Sequence, residues 1–175
     1  MWFTGLPGCG KSSLASAVEH LLVTEQHRAA YVLDGDNLRH GLNGDLGFNA
    51  ADRSENVRRV GEVALLLADA GTVAIVSLIS PYAADRKTVR DRHLAAGVPF
   101  FEIYMNTPIE ECERRDYKGL YAAARSGRIH GLTGIDDPYE PPVDPAFEFT
   151  PADGSPLQLA RRVITLVGST PRSPG

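Results

Sequence analysis

The sequence predicts an α/β fold: a three-layer sandwich in which helices cover both faces of a five-stranded parallel sheet of order 2-3-1-4-5, with a lid over one edge. Two observations carry the parallel α/β reading, and the number and order of strands are those of the fold type that the second of them implies. Short apolar or β-branched runs alternate with helical patterns, the signature of parallel β-α-β units. At the head of the chain, Gly5-Leu6-Pro7-Gly8-Cys9-Gly10-Lys11-Ser12 fits G-x-x-x-x-G-K-S/T, framed by a strand end at Trp2-Phe3-Thr4 and a helix from Lys11 to about Thr24. That strand-loop-helix frame makes the fold one of the P-loop NTPase type, and the alternative of a bare glycine-rich turn is set aside.

The remaining elements follow in order. Residues 30–34 are a short apolar run ending in acid, 72–78 are rich in β-branched residues, and 100–105 form a third run. Continuous apolarity suits strands buried on both faces. Between them lie a helix over 53–70, capped by Asp52 and stopped by Gly71, and another over 83–96, stopped by Gly97. Residues 116–150, rich in Gly, Pro, Tyr and charge, read as the lid with two short helical stretches at most. An amphipathic helix over 158–167 follows Pro156 and closes a single domain of residues 1–168, leaving 169–175 as a disordered tail.

With 175 residues the chain can bury a core without disulfides or structural metal. A net charge of −4 gives no reason to expect nucleic acid as partner. Two cysteines are too few for a secreted disulfide framework, and no signal peptide or membrane-length apolar run occurs, so a cytoplasmic protein is expected. The five histidines are scattered without ligand spacing and receive no chemistry. Only Trp2, Phe3 and Thr4 separate Met1 from the loop, a short strand for the centre of a sheet, which points to a piece of a longer chain.

The chemistry expected of the loop is nucleotide binding. Gly5, Gly8 and Gly10 let the backbone approach a phosphate, with the amides of Cys9, Ser12 and Ser13 near a helix N-terminus. Lys11 offers a point charge to the β- and γ-oxygens of ATP, and the Ser12 hydroxyl is a ligand for Mg²⁺. After the second strand, Asp34-Gly35-Asp36-Asn37-Leu38-Arg39 puts two carboxylates on the same edge. Asp36 suits the base that takes a proton from an acceptor hydroxyl, and Asp34 the support of the metal; an exposed Asp-Gly turn is the alternative. Arg53 and Asn56 share a face near a helix N-terminus, where with Arg39 they could hold an anionic acceptor; ordinary surface arginines are the alternative.

These blocks resemble adenylylsulfate kinase. The resemblance rests on the phosphate loop, residues 33–43, Asp45-Leu46-Gly47-Phe48 and Asp52-Arg53-Ser54-Glu55-Asn56. It continues through Ser80-Pro81-Tyr82, residues 115–121 and residues 133–140, covering residue 2 to about 167. It implies transfer of the ATP γ-phosphoryl group, with Mg²⁺, to the 3′-hydroxyl of adenosine 5′-phosphosulfate (APS). Carried over by position, it assigns Arg39, Arg53 and Asn56 to the phosphosulfate, Phe48 to the adenine, and Ile79, Ser80 and Leu120 to the same pocket. Lys118 of the lid would meet the transferring phosphoryl group and Arg125 would close over the donor nucleotide. It further implies a homodimer and fusion to, or association with, a sulfate adenylyltransferase.

Four positions depart from the family pattern: Pro7 stands where Ser is usual, Cys9 for Ala, Tyr117 for Pro, and Leu132 for the Phe that stacks on the substrate adenine. An aliphatic face at Leu132 is expected to weaken APS by about 1 kcal/mol, so that Leu132→Phe would tighten it. Ser80 at a strand tip has no adjacent base, which favours direct transfer over a phosphoenzyme. Cys9 is read as a space-filling thiol rather than a redox sensor. The rivals are another small P-loop kinase, against which the 34–56 blocks argue, a GTPase, for which no Asn-Lys-x-Asp segment exists, and a non-catalytic nucleotide-binding module.

Overall fold

The computed structural model describes residues 1–169; of the tail expected over 169–175, residues 170–175 lie outside them. In chain order the elements are β1 (Trp2–Thr4), α1 (Lys11–Thr24), β2 (Ala30–Asp34), α2 (Gly35–Leu38), α3 (Ala50–Asp69), β3 (Val73–Ser77) and α4 (Ala83–Ala95). They continue with β4 (Glu102–Met105), α5 (Ile109–Arg115), α6 (Leu120–Arg125), β5 (Phe147–Phe149), a 3₁₀ turn (Pro151–Asp153) and α7 (Pro156–Ser169).

All strand pairings are parallel, in the order β2-β3-β1-β4-β5 that the sequence predicts. The short β1 holds the centre because both its edges are paired: Trp2 and Phe3 register with Val76 and Ser77 on one side and with Glu102 and Ile103 on the other. Its side chains alternate between two cores. Phe3 joins Ile75 and Ile103 beneath α1 and α7, whereas Trp2 joins Ala74 and Val76 beneath α3 and α4. Period-two alternation thus feeds two apolar layers, and the chain must cover both.

Several boundaries differ from expectation for identifiable reasons. The fifth strand, Phe147–Phe149, lies inside the stretch that the sequence assigns to a lid and pairs with Ile103 to Met105, so these residues belong to the sheet. The N-cap of α3 is Asn49, not Asp52: its side chain accepts the Asp52 N–H at 2.9 Å. Asp52 answers by accepting the Asn49 amide and the Gly47 N–H, each at 2.8 Å. Ala50 and Ala51, good helix formers, carry the helix upstream to that cap. The helix α7 likewise begins at Pro156, where proline's missing N–H costs nothing, and includes Ser169.

Candidate active site

The phosphate loop turns from β1 into α1. Gly5 has φ +144°, and a Cβ there would stand 2.7 Å from the Met105 carbonyl oxygen and 2.8 Å from Cys9 Sγ. Gly10 takes the left-handed N-cap of α1 with no side-chain cap, so the first amides of that helix are left for an anion. Lys11 Nζ reaches back over the loop, donating to the carbonyls of Gly5 at 3.0 Å and Leu6 at 2.8 Å. The loop is pinned from outside as well. Thr107 Oγ1 donates to the Cys9 carbonyl and Tyr121 Oη to the Pro7 carbonyl, both at 2.9 Å. Cys9 and Cys112 are buried in the same core, and burial pushes the Cys112 thiol up to about 11.

From the loop a run of contacts leads across the strand tips. Ser12 Oγ donates to Asp34 Oδ2 at 2.7 Å, while Asp34 Oδ1 accepts the Asp36 N–H at 3.0 Å and so caps α2. Asp36, in the first turn of α2, forms an ion pair with Lys118 from the loop between α5 and α6. Ser12 and Asp34 offer hard oxygen donors side by side, the chemistry that suits Mg²⁺. Among the described residues no group of three or more His, Cys, Asp or Glu could hold a metal ion.

On the far side of Asp36 the basic residues converge. Arg39 donates to the carbonyls of Leu46 at 3.0 Å and Gly47 at 3.2 Å, and its guanidinium lies 4.1 Å from the Phe48 ring centroid. Its pKa falls below the ordinary arginine value, first through burial and then through Arg53 beside it. Phe48 is exposed. Arg53 is buried and clasps two segments, donating to the Phe48 carbonyl at 2.7 Å, Thr133 Oγ1 at 2.9 Å and the Gly131 carbonyl at 2.5 Å. One turn on, Asn56 Oδ1 accepts from Asn43 Nδ2 at 2.9 Å.

The other residues singled out in the sequence have these surroundings. Leu132 is packed in the core with Leu14 and Tyr121 instead of lining an open face, because a short apolar side chain gains more there than in water. The Ser80 hydroxyl is spent on the fold, accepting Trp2 Nε1–H and donating to Thr4 Oγ1, both at 3.0 Å. Arg125 pairs with Glu113 at 2.5 Å on the outer surface. Ile79 and Leu120 are half-buried, and Ser13 is exposed on the first turn of α1. A groove of about 580 Å³ between α3 and α4, lined by Ser54, Asp85 and Val89 among others, contains none of the site residues.

Sequence reasoning did not single out Asn43, Tyr121, Asp116 or Arg86. The first three lie within the blocks quoted for the resemblance, which was the available signal. Arg86 had none: its partners Ser80, Glu102 and Glu140 come from separate parts of the chain.

A parallel sheet whose central strand opens into a phosphate loop, with a carboxylate and a basic cluster on the same edge, defines a P-loop phosphotransferase. Residues 1–150 match the family model described as adenylylsulphate kinase, and the chain belongs to that family. It is similar to the bifunctional enzyme CysN/CysC of Mycobacterium tuberculosis (strain CDC 1551 / Oshkosh), at 55% identity over 97% of this chain and 27% of that protein. It is also similar to adenylyl-sulfate kinase 1, chloroplastic, of Arabidopsis thaliana, at 52% identity over 94% of this chain and 59% of that one. The chain therefore spans between about a quarter and three fifths of these relatives, as those shares state. Among solved structures, the M. tuberculosis APS kinase CysC in complex with AMPPNP and APS superimposes with a TM-score of 0.92, at 55% identity over 96% of both chains.

Proposed function

We propose that this chain transfers the γ-phosphoryl group of ATP to the 3′-hydroxyl of APS, giving 3′-phosphoadenosine 5′-phosphosulfate and ADP. The observation that carries the reading is the run Ser12–Asp34–Asp36–Lys118, which joins the phosphate loop to the acid beside the Arg39, Arg53 and Asn56 cluster. Asp36 accepts the proton of the attacking hydroxyl, and Lys118 leaves its partner to meet the transferring group. Lys11 and the free amides of α1 hold the donor phosphates. Arg39, Arg53 and Asn56 hold the phosphosulfate, and Phe48 offers its face to the adenine. Ser12 and Asp34 would hold Mg²⁺, which supplies neutralisation of phosphate charge.

The same reading gives the chain a place in the cytoplasm, as a homodimer, beside or fused to an adenylyltransferase that makes APS. The bifunctional name of the similar M. tuberculosis protein supports the last point. Among the described residues no helix is long and apolar enough to cross a membrane.

The test is ADP release from Mg-ATP with and without APS, with chromatographic detection of the 3′-phosphorylated product. Product that requires both substrates is expected. Tight ATP binding with no product would favour the non-catalytic module instead.

A further inference from the structure

Asn43 is wholly buried and Asn56 nearly so, and their amides meet in one hydrogen bond, Asn43 Nδ2 to Asn56 Oδ1. Among the described residues, Asn43 Oδ1 is the buried side-chain polar atom left without a partner. Turning both amides over would keep the bond but strand the Asn43 NH₂ instead, and a buried unpaired N–H is a rarer, worse orphan than an under-satisfied carbonyl oxygen. The orientation seen is therefore the favoured one.

That orientation leaves Asn56 a single group to offer. Its oxygen is taken, no acceptor among the described residues takes its NH₂, and that NH₂ is not sealed away as Asn43 Oδ1 is. An amide can show an anion either a donor that attracts it or an oxygen that repels it, so a free Asn56 would be an indifferent ligand.

We infer that Asn43 is a positioning residue: it holds the Asn56 oxygen so that the Asn56 NH₂ faces the anionic phosphosulfate of the acceptor. The inference rests on the proposed role of Asn56 in acceptor binding. The loop that carries Asn43 is itself fastened to α2 and α3. The Asn43 N–H donates to the Leu38 carbonyl at 2.9 Å, and Arg59, one turn beyond Asn56, donates to the Leu42 carbonyl at 3.0 Å and to Asp45 Oδ1 at 2.7 Å. Glu55 Oε1 holds Arg59 from behind at 2.9 Å. These contacts hold the backbone from which the Asn43 amide reaches Asn56.

The experiment compares KM for APS with KM for ATP in Asn43→Asp, Asn43→Leu, Asn56→Ala and the Asn43→Leu/Asn56→Ala double variant, with melting curves for each. Asn43→Asp is nearly isosteric but can only accept, so Asn56 must donate its NH₂ inward and turn its oxygen to the anion. Its APS KM is expected to rise about tenfold or more, the scale of a lost hydrogen bond to a charged group, with ATP KM within about twofold. Asn43→Leu, which adds no charge, should raise APS KM several-fold in the parent and add nothing in the Asn56→Ala background. Unchanged APS KM in the folded Asn43 variants overturns the inference. So does an Asn43→Leu effect that persists undiminished without Asn56, because the role would then be structural only. If Asn56→Ala itself leaves APS KM unchanged, the acceptor-side assignment of Asn56 is what fails, and the inference falls with it. A parent chain with no APS-dependent turnover overturns the proposed function first.

Discussion

Lys118 pairs with Asp36 across 82 residues of chain, joining the loop between α5 and α6 to the first turn of α2. The lysine reaches that point because its loop is tied at both ends. The Asp116 carboxylate accepts the N–H groups of Tyr121 at 3.1 Å and Ala122 at 2.9 Å, and the Tyr121 hydroxyl holds the Pro7 carbonyl. Lys118, Asp36 and the phosphate loop are thereby parts of one contact chain. Both members of the pair are largely solvent-exposed, and exposed ion pairs contribute little to folding. Their meeting therefore adds little to stability, and it is the proposed function that gives it work.

From this it follows that Asp36→Ala and Lys118→Met each lower turnover by about a hundredfold or more, the usual scale for loss of a base or of transition-state charge stabilisation. Unfolding free energy should move by less than about 0.5 kcal/mol, as for other exposed substitutions. ATP affinity by calorimetry should stay within a few fold, since neither side chain touches the loop amides. Equal loss of turnover and ATP binding in Asp36→Ala would contradict its assignment as base.

Arg86 makes the opposite case, a charge whose work is structural. Its guanidinium is buried and donates to Glu102 Oε1 at 2.7 Å, the Ser80 carbonyl at 2.7 Å and the Glu140 carbonyl at 2.6 Å. Ser80 is held at φ +41°, a region costly for a residue other than glycine, so the corner after β3 depends on such restraints. Arg86→Met is expected to cost about 3–5 kcal/mol in urea unfolding, because it leaves Glu102 to Arg90 alone, strands the Glu140 carbonyl and leaves the Ser80 carbonyl only a long contact from Thr4 Oγ1 at 3.5 Å. A loss below about 1 kcal/mol would mean that Arg90 and water replace it.

Leu132 also changes meaning once placed. The sequence assigns it to an adenine face, whereas the structure packs it in the core at 8% exposure. Leu132→Ala should then destabilise by about 2–3 kcal/mol, the transfer and cavity cost of a core leucine, measured by urea unfolding without substrate. A leucine that only lined an open cleft would cost well under about 1 kcal/mol on the same assay.

What was legible in the sequence is what local pattern determines. The phosphate loop and the Asp34 to Asn56 blocks carry their chemistry in consecutive residues, and β3 and β4 announce themselves through apolar runs buried on both faces. Phe147–Phe149 does not, because three residues inside a Gly- and Pro-rich stretch become a strand only through pairing with β4. The direction of Leu132, the reach of Arg86 and the amide pair of Asn43 and Asn56 depend on segments brought together late in the chain or across loops. Residue type alone could name Asn56 as a donor but not say which end of its amide faces outward.

The two cysteines give a last measurement. Cys9 and Cys112 are 1% and 0% exposed, and burial raises the Cys112 thiol to about 11. The thiolate is the form that reacts, so below pH 11 Cys112 stays mostly neutral, with thiolate falling tenfold per pH unit. At pH 8 iodoacetamide should leave both residues unmodified in the folded chain and label both after urea unfolding, read by mass spectrometry. Raising the pH toward 11 should speed labelling of Cys112 past the point where an ordinary thiol levels off near pH 9. The assignment of Cys9 as a packing residue predicts that bound ATP changes this pattern only by slowing it. Selective labelling of Cys9 in the folded chain at pH 8, with parallel loss of activity, would show that the phosphate loop opens to expose its thiol and would restore the redox-sensor reading.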